Sequence, residues 1–343
     1  MKTWQRLKKQ PELWKRYFLR EQVIRDIREF FHTRGFHEVE TPLLLKNPPA
    51  ESYVDVFRTT LYDRHRNPTD AYLATSPETS LKKLLAAGIG NCFALTKSFR
   101  NMETQSRLHN PEFTILEWYR TGVAYEKIMS DCEDLLKALS GVSGQKLRYQ
   151  GNIIDVSPPW DRMTITEAFS RFAGINSHDL YDVKRLAGAA RKKGYRTDGA
   201  TWEQIYNQIF LNEIEPKLGL RKPVILYEYP AAVAALARIR KDNPLVAERF
   251  EFYIGGLEMG DAYTELIDWR EQESRFKREM KEIERLGKTV YDYDQDFIQA
   301  LKSGLPDCSG IAVGVDRIVM LLADVNDIAE TLFFPGKDLF GAE

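Results

Sequence analysis

Residues 98–119, SFRNMETQSRLHNPEFTILEWY, constrain the fold of this chain more than any other stretch. An alternating run over residues 91–98 leads into a polar, charged loop, and Thr114-Ile115-Leu116-Glu117-Trp118-Tyr119 leads out of it. A period of two on both sides predicts two antiparallel strands joined by a long hairpin loop. Arg100 stands at the entry of the loop and Phe113 at its exit. A guanidinium bridges a phosphate and a carboxylate through paired charge-assisted bonds, which Lys does less well. A phenyl ring offers a flat face to an adenine. Taken alone, one Arg and one Phe on a hairpin read as ordinary strand residues. A nucleotide-activation loop is the functional alternative, and the rest of the chain decides between them.

Two further segments bear on that decision. Residues 309–322, SGIAVGVDRIVMLL, alternate Gly310, Ala312 and Gly314 with apolar residues before Asp316-Arg317 opens a helical pattern. Glycines within a strand mark close approach by a backbone or a ligand. Arg317 is then placed to meet a polyphosphate, against the plainer reading of a strand–helix corner. Residues 249–268, RFEFYIGGLEMGDAYTELID, concentrate Glu251, Glu258, Asp261 and Glu265 in a strand-rich stretch. Carboxylates converging on one sheet face bind a hard divalent cation or an amine. Each one singly reads as a solvated surface group.

Together these blocks resemble the class II aminoacyl-tRNA synthetases. Ser98-Phe99-Arg100 with residues 109–113 looks like motif 2, Gly314-Val315-Asp316-Arg317 like motif 3, and residues 35–42 (GFHEVETP) like motif 1, the dimer-forming element. Thr75-Ser76-Pro77-Glu78 and residues 258–266 (EMGDAYTEL) are similar to the lysine branch. The resemblance runs from about residue 15 to the end, with the blocks in family order. It implies an α+β fold, a mostly antiparallel sheet flanked by helices. One catalytic domain is expected over residues 1–343, with a helical insertion at about 160–240 between motifs 2 and 3.

The local patterns agree with that plan. Helices are expected at 12–34, 80–87, 125–140, 165–172, 183–193, 202–213, 231–237 and 270–286. Strands are expected at 37–42, 71–75, 91–98 and 224–229. About a dozen residues precede the first catalytic helix, too few for a five-stranded OB barrel, so no anticodon-binding domain is expected.

Composition limits the partners. Lys+Arg number 49 and Asp+Glu 50, so the chain lacks the basic excess that suits a polyphosphate-binding surface, and tRNA is not the expected acceptor. The 3 cysteines, Cys92, Cys132 and Cys308, have no paired spacing, which suits a reducing compartment and neither zinc nor disulfides. The basic N-terminus lacks an apolar core of signal-peptide length, and no run approaches the ~20 apolar residues of a membrane span. A cytoplasmic location without membrane contact is the expectation.

The resemblance also implies chemistry: joining an amino-acid carboxylate to the α-phosphate of ATP, with Mg²⁺. Arg100 would bridge the carboxylate and α-phosphate. Arg317 and His109 would hold the β/γ end, and Phe113 with Arg317 would sandwich adenine. Glu103 and Asn110 complete the ATP set, and Glu251 and Glu258 stand at the metal positions. For a diamino acid, Glu265 and Tyr119 match the grip on the side-chain ammonium, and Glu78 and Glu117 would neutralise the nearer amine. Ser76, Asp261 and Ala312 complete the substrate set. Catalysis would rest on Arg100 and Arg317 stabilising phosphate charge.

Two departures from the pattern matter. The Glu that normally lies two residues after the motif 2 Arg is replaced by Met102, with Glu103 following, so the loop either bulges to present Glu103 or loses that contact. Asp261 replaces an Asn, putting a charge where it would repel a substrate carboxylate unless it faces an amine or metal. Ala312, where lysyl-tRNA synthetases have Gly, and Pro306-Asp307-Cys308-Ser309-Gly310 resemble the elongation factor P–lysine ligases, paralogues of that synthetase. Those enzymes imply (R)-β-lysine transferred to the ε-amino group of a lysine on elongation factor P, by a homodimer. Two alternatives are a small ligase passing α-lysine to tRNA, a carrier protein or a free amine, and a regulatory paralogue without catalysis.

Overall fold

The computed structural model describes residues 1–103, 106–139 and 144–341; residues 104 and 105 of the hairpin loop and the last residue of the helix expected at 125–140 lie outside the described residues. Eight strands build one sheet in the order His37–Glu38, Cys92–Phe99, Glu112–Thr121, Cys308–Gly314, Leu257–Thr264, Arg249–Ile254, Val224–Tyr227 and Asp161–Thr164. The outermost strand at each end pairs parallel, and all pairs between are antiparallel. The late strand Cys308–Gly314 inserts between the hairpins Cys92–Thr121 and Arg249–Thr264. That insertion brings all three sequence blocks side by side.

Register then decides which side chains meet. Glu251, Asp261, Ala312 and Glu117 are direct cross-strand partners in succession. Partners directly opposite project from the same face, so these four form one rung. Arg249, Tyr263, Gly310 and Tyr119 form the next. Glu258 lies three residues from Asp261 and in a regular strand would face the other way. The pairing shifts between Phe252 and Tyr253, so that Phe252 opposes Gly260 while Tyr253 opposes Glu258, with Met259 unpaired. This bulge returns Glu258 to the face of Asp261.

The opposite face holds the main core. Leu116, Trp118, Ile311, Val313, Phe250 and Phe252 pack with the helices Trp14–His32, Tyr125–Ala138 and Val315–Leu322. Val23, Ile27, Phe30 and Phe31 supply the buried stripe of the helix Trp14–His32 at helical spacing. Phe31 stacks on Phe93 with ring centroids 4.8 Å apart and lies 5.1 Å from Trp118. Burying a side chain of that size stabilises by roughly 1.5–3 kcal/mol, so Phe31 is among the firmest ties between helix and sheet. A second core joins the helices of residues 165–217 to Val224, Leu226 and Tyr253. Helices in that region begin at Thr164 and Thr201, each closing a capping box, and at Asp182.

Residues 231–237 correct an expectation. Only Ala231–Val233 forms a single 3₁₀ turn, after which Ala235 takes a φ of 50°. The backbone there bonds outward instead: Ala231 N–H donates to Leu245 O, and Leu266 N–H to Leu236 O. A residue in the left-handed region cannot continue a helix, and an alanine pattern does not reveal such tertiary bonds. The expected strand at 37–42 is confined to His37–Glu38. The fully exposed strand Arg58–Tyr62 and the helix Gln295–Gly304 were not expected.

Candidate active site

Arg100 leaves its strand with its N–H bonded to Pro111 O (2.9 Å), which closes the base of the hairpin loop. Its guanidinium carbon lies 5.3 Å from the Phe113 ring centroid, and its buried Nε has no partner among the described residues. Met102 adopts a φ of 65° with 77% of its surface exposed. That left-handed turn swings Met102 outward and Glu103 into the cavity, so the loop bulges to present Glu103. Burial raises the Glu103 pKa, opposed by Arg100 and Arg317.

Arg317 sits in the first turn of the helix Val315–Leu322. Its Nη1 donates to Glu258 O (2.7 Å) and its Nη2 to His109 Nε2 (3.0 Å). An arginine only donates, so His109 accepts at Nε2 and carries its proton on Nδ1, facing Ser106 Oγ at 2.9 Å. Burial, with Arg317 and Arg100 adding repulsion, lowers His109 to about 4. The imidazole is therefore neutral at physiological pH. The neighbouring Asp316 is turned inward, accepting from Arg20 and from Thr114 N–H (2.7 Å). It ties the helix Trp14–His32 to the hairpin strand. Asn110 is also occupied, donating to Glu112 O (2.6 Å) and accepting from Gly336 N–H (2.8 Å).

Arg100, Glu103, His109, Asn110, Phe113 and Arg317 line one cavity of about 280 Å³ with Ser76, Glu78, Glu117, Tyr119, Glu258, Asp261, Glu265 and Ala312. Of the site residues expected from sequence, Glu251 alone lies outside it, in an adjoining cavity that also reaches Glu258 and Asp261. Glu251 accepts from Arg249 Nη2 (2.8 Å) and Tyr253 OH, and burial pushes it to about 7. Glu258 keeps its carboxylate partly open, at 3.6 Å from Arg317. No group of three or more His, Cys, Asp or Glu residues is arranged around a metal position among the described residues. Two carboxylates suit an ion that keeps its waters and takes phosphate oxygens, and Mg²⁺ behaves so.

The acidic end holds a residue that sequence reasoning missed. Lys82, one turn after Glu78 on the helix Glu78–Ala86, forms ion pairs with both Glu78 and Glu265. Burial opposes its charge, but Glu265 and Glu78 outweigh burial and hold the ammonium above the ordinary lysine range. Tyr263 OH adds a bond to Glu78 (2.6 Å). Glu117 makes no ion pair among the described residues, and burial first, then Glu78, push it well up against Lys82. Its oxygen lies 3.4 Å from Tyr119 OH. A Cβ on Gly310 would lie 2.3 Å from the Tyr119 ring, so only glycine lets that ring lie across the strand. Arg249 is the second missed residue: its Nε bonds Asp261 at 2.9 Å. Burial, working against Arg249, brings Asp261 to about 6. Arg249 sets one positive charge against both Asp261 and Glu251. The i, i+4 spacing of Glu78 and Lys82 and the i, i+2 spacing of Arg249 and Glu251 were the available signals.

The chain belongs to the class II tRNA synthetases of the D, K and N group, whose family model matches residues 2–338. Its relatives include proteins named elongation factor P–(R)-β-lysine ligase. The one from Avibacterium paragallinarum is 37% identical over 319 residues, covering 92% of this chain and 93% of the relative. That of Mannheimia succiniciproducens is 35% identical (93% and 94% covered), and that of Salmonella paratyphi B 36% identical (97% of each).

Proposed function

We propose that the protein activates (R)-β-lysine with ATP and transfers the acyl group to the ε-amino group of a lysine on translation elongation factor P. The observation that carries this reading is the meeting, in one cavity, of Arg100, Arg317 and Phe113 with the acid-lined end formed by Glu78, Glu117 and Glu265. In the first step the β-lysine carboxylate attacks the α-phosphate of ATP, and pyrophosphate leaves. The nucleophile is already ionised, so no base is needed. Arg100 holds the carboxylate and α-phosphate in line, with its unpartnered Nε available for that bond. Arg317, held by Glu258 O and by neutral His109, faces the terminal phosphates, and His109 orients it without adding charge. Preorganised donors of this kind stabilise charge that develops in the transition state. Mg²⁺, held by Glu258 and served by Glu251, would neutralise phosphate oxygens.

Glu117 and Tyr119 grip one ammonium of the substrate, and the Lys82-linked pair Glu78 and Glu265 fixes the depth of the slot. A desolvated ammonium needs a carboxylate partner, so neutral amino acids are disfavoured. The Ala312 methyl stands on the rung between Asp261 and Glu117, where it narrows the space beside an α-amino group.

The working unit in this reading is a homodimer. Trp14 and Phe18, exposed at 38% and 59% on the helix Trp14–His32, stack at 5.8 Å, and Trp14 meets Phe333 at 6.1 Å. Such a contiguous aromatic face suits a second copy better than water. No helix among the described residues is long and apolar enough to cross a membrane. In this reading the reaction runs in the cytoplasm, where its ATP and its acceptor are. The decisive experiment incubates the protein with ATP, each lysine isomer and purified elongation factor P. A mass gain of one lysyl group on one factor lysine, greatest with (R)-β-lysine, supports the reading. Adenylate formation without that gain would move the acceptor elsewhere.

A further inference from the structure

A second cavity of about 600 Å³ adjoins the first and shares Glu51, Glu258, Asp261 and Tyr263 with it. Its walls come from the loop at 50–54, the helical insertion, residues 231–236 and the helix Trp269–Arg285. Tyr53 and Leu211 on its wall are 61% and 57% exposed. The loop bearing Glu51 is pinned on both sides: Tyr291 OH donates to Pro49 O and Ser52 N–H to Glu279, each at 2.9 Å. The Glu51 carboxylate itself makes no hydrogen bond or ion pair among the described residues. It faces Arg100 from the hairpin, Glu117 from the strand Glu112–Thr121, Glu78 and Lys82 from their helix, Glu279 from the helix Trp269–Arg285, and Tyr291.

We infer that this second cavity is the port through which the acceptor lysine enters, and that Glu51, at its junction with the first, is the base that takes a proton from the entering ε-ammonium. The inference rests on the acyl transfer proposed above. The port suits an ammonium. Its Arg249 and Arg275 are committed to Asp261 and Glu271, leaving Arg278 against Glu203, Glu215 and Glu279. A negative wall draws in a lysine and repels a polynucleotide backbone. Tyr206, 3% exposed, also lines the port, and its hydroxyl has no partner among the described residues.

The chemistry balances. A lysine ammonium with a pKa near 10.4 has no lone pair to attack with at neutral pH. Glu51 accepts one proton. The freed nitrogen bonds to the acyl carbon of the adenylate, and the bond from that carbon to the phosphate oxygen breaks with its electrons leaving on AMP. The second proton passes from nitrogen to the departing phosphate, and Glu51 returns its own to water. Burial first, then Glu78 and Glu279, push Glu51 up to about 7 against Arg100 and Lys82. A base near working pH is the most effective.

The test forms the adenylate first, then mixes it with elongation factor P and follows a single turnover. In Glu51→Gln the ratio of transfer rate to adenylate-forming rate should fall about 100-fold at neutral pH, the usual size of a general-base effect. Transfer by the unmodified protein should level off above about pH 7, where Glu51 is ionised. In Glu51→Gln it should keep rising towards pH ~10 as the amine deprotonates unaided. Glu51→Asp should recover part of the rate. Asn207→Trp, in the port wall, should slow transfer to the factor more than capture of the acyl group by hydroxylamine. A Glu51→Gln ratio within about 3-fold of normal, or a profile that still levels off, overturns the base. Equal slowing towards both nucleophiles in Asn207→Trp overturns the port. If the unmodified protein transfers nothing to the factor, the acceptor reading falls and takes this inference with it.

Discussion

Lys82 and Glu265 form an ion pair from which water is excluded, with 2% and 1% of their side chains exposed. The pair closes the acidic end of the cavity, and Glu78 completes it from the other side. A slot lined only by buried carboxylates would take up protons and lose its charge. Lys82 sets a positive charge against that tendency, opposing the burial that pushes Glu265 up to about 8.

Lys82→Met should therefore cost more than a lost contact. Breaking a buried pair leaves uncompensated charge, worth about 3–5 kcal/mol. Carboxylates left without their cation are penalised when ionised, so the deficit should be larger at pH 8 than at pH 5. Thermal unfolding at both values reads this directly, and equal deficits would assign Lys82 to packing alone.

Arg317→Lys should reduce ATP–pyrophosphate exchange by about 100-fold or more, although it preserves charge. The guanidinium meets Glu258 O and His109 from two separate nitrogens, and an ammonium cannot span both. Arg100→Ala should be at least as severe. Near-normal exchange in either would put ATP elsewhere.

His109, depressed to about 4, stays neutral above that value. The KM for ATP should therefore show no histidine inflection between pH 5 and 8. A break near 6.5 that vanishes in His109→Gln would show the ring to be charged in the working enzyme.

Ala312→Gly removes one methyl from the rung between Asp261 and Glu117. Use of α-lysine relative to β-lysine should rise about tenfold, the scale of a single methylene in a pocket. A constant ratio of kcat/KM values would remove Ala312 from the specificity argument.

Light scattering should give twice the 39.7 kDa chain mass. Phe18→Glu, on the exposed aromatic face, should halve it without unfolding the protein, since Phe18 is largely outside the core.

Much of this architecture was legible because local patterns agreed with one another. The alternation on both sides of the hairpin, the helical stripe of residues 12–34 and the Gly-spaced run ending in Asp316-Arg317 each named an element that formed. Residues 231–237 misled because alanines carry helical propensity, while the bonds to Leu245 and Leu266 come from distant chain. Arg58–Tyr62 escaped notice since its side chains are all exposed and show no buried face. Within the cavity, carboxylates were visible as a cluster, but their counterions were not. A lysine on an amphipathic helix gives no sign of burial, and only the register of distant strands turns that face of Glu78–Ala86 towards Glu265. The bulge at Met259 was equally hidden, because three-residue spacing by itself argues that Glu258 and Asp261 diverge.

The rung of Glu251, Asp261, Ala312 and Glu117 takes one side chain from each of four neighbouring strands. In the reading proposed above its Glu251 end serves the metal and its Glu117 end the amine. A substitution at Asp261 or Ala312, midway along it, would be felt at both ends.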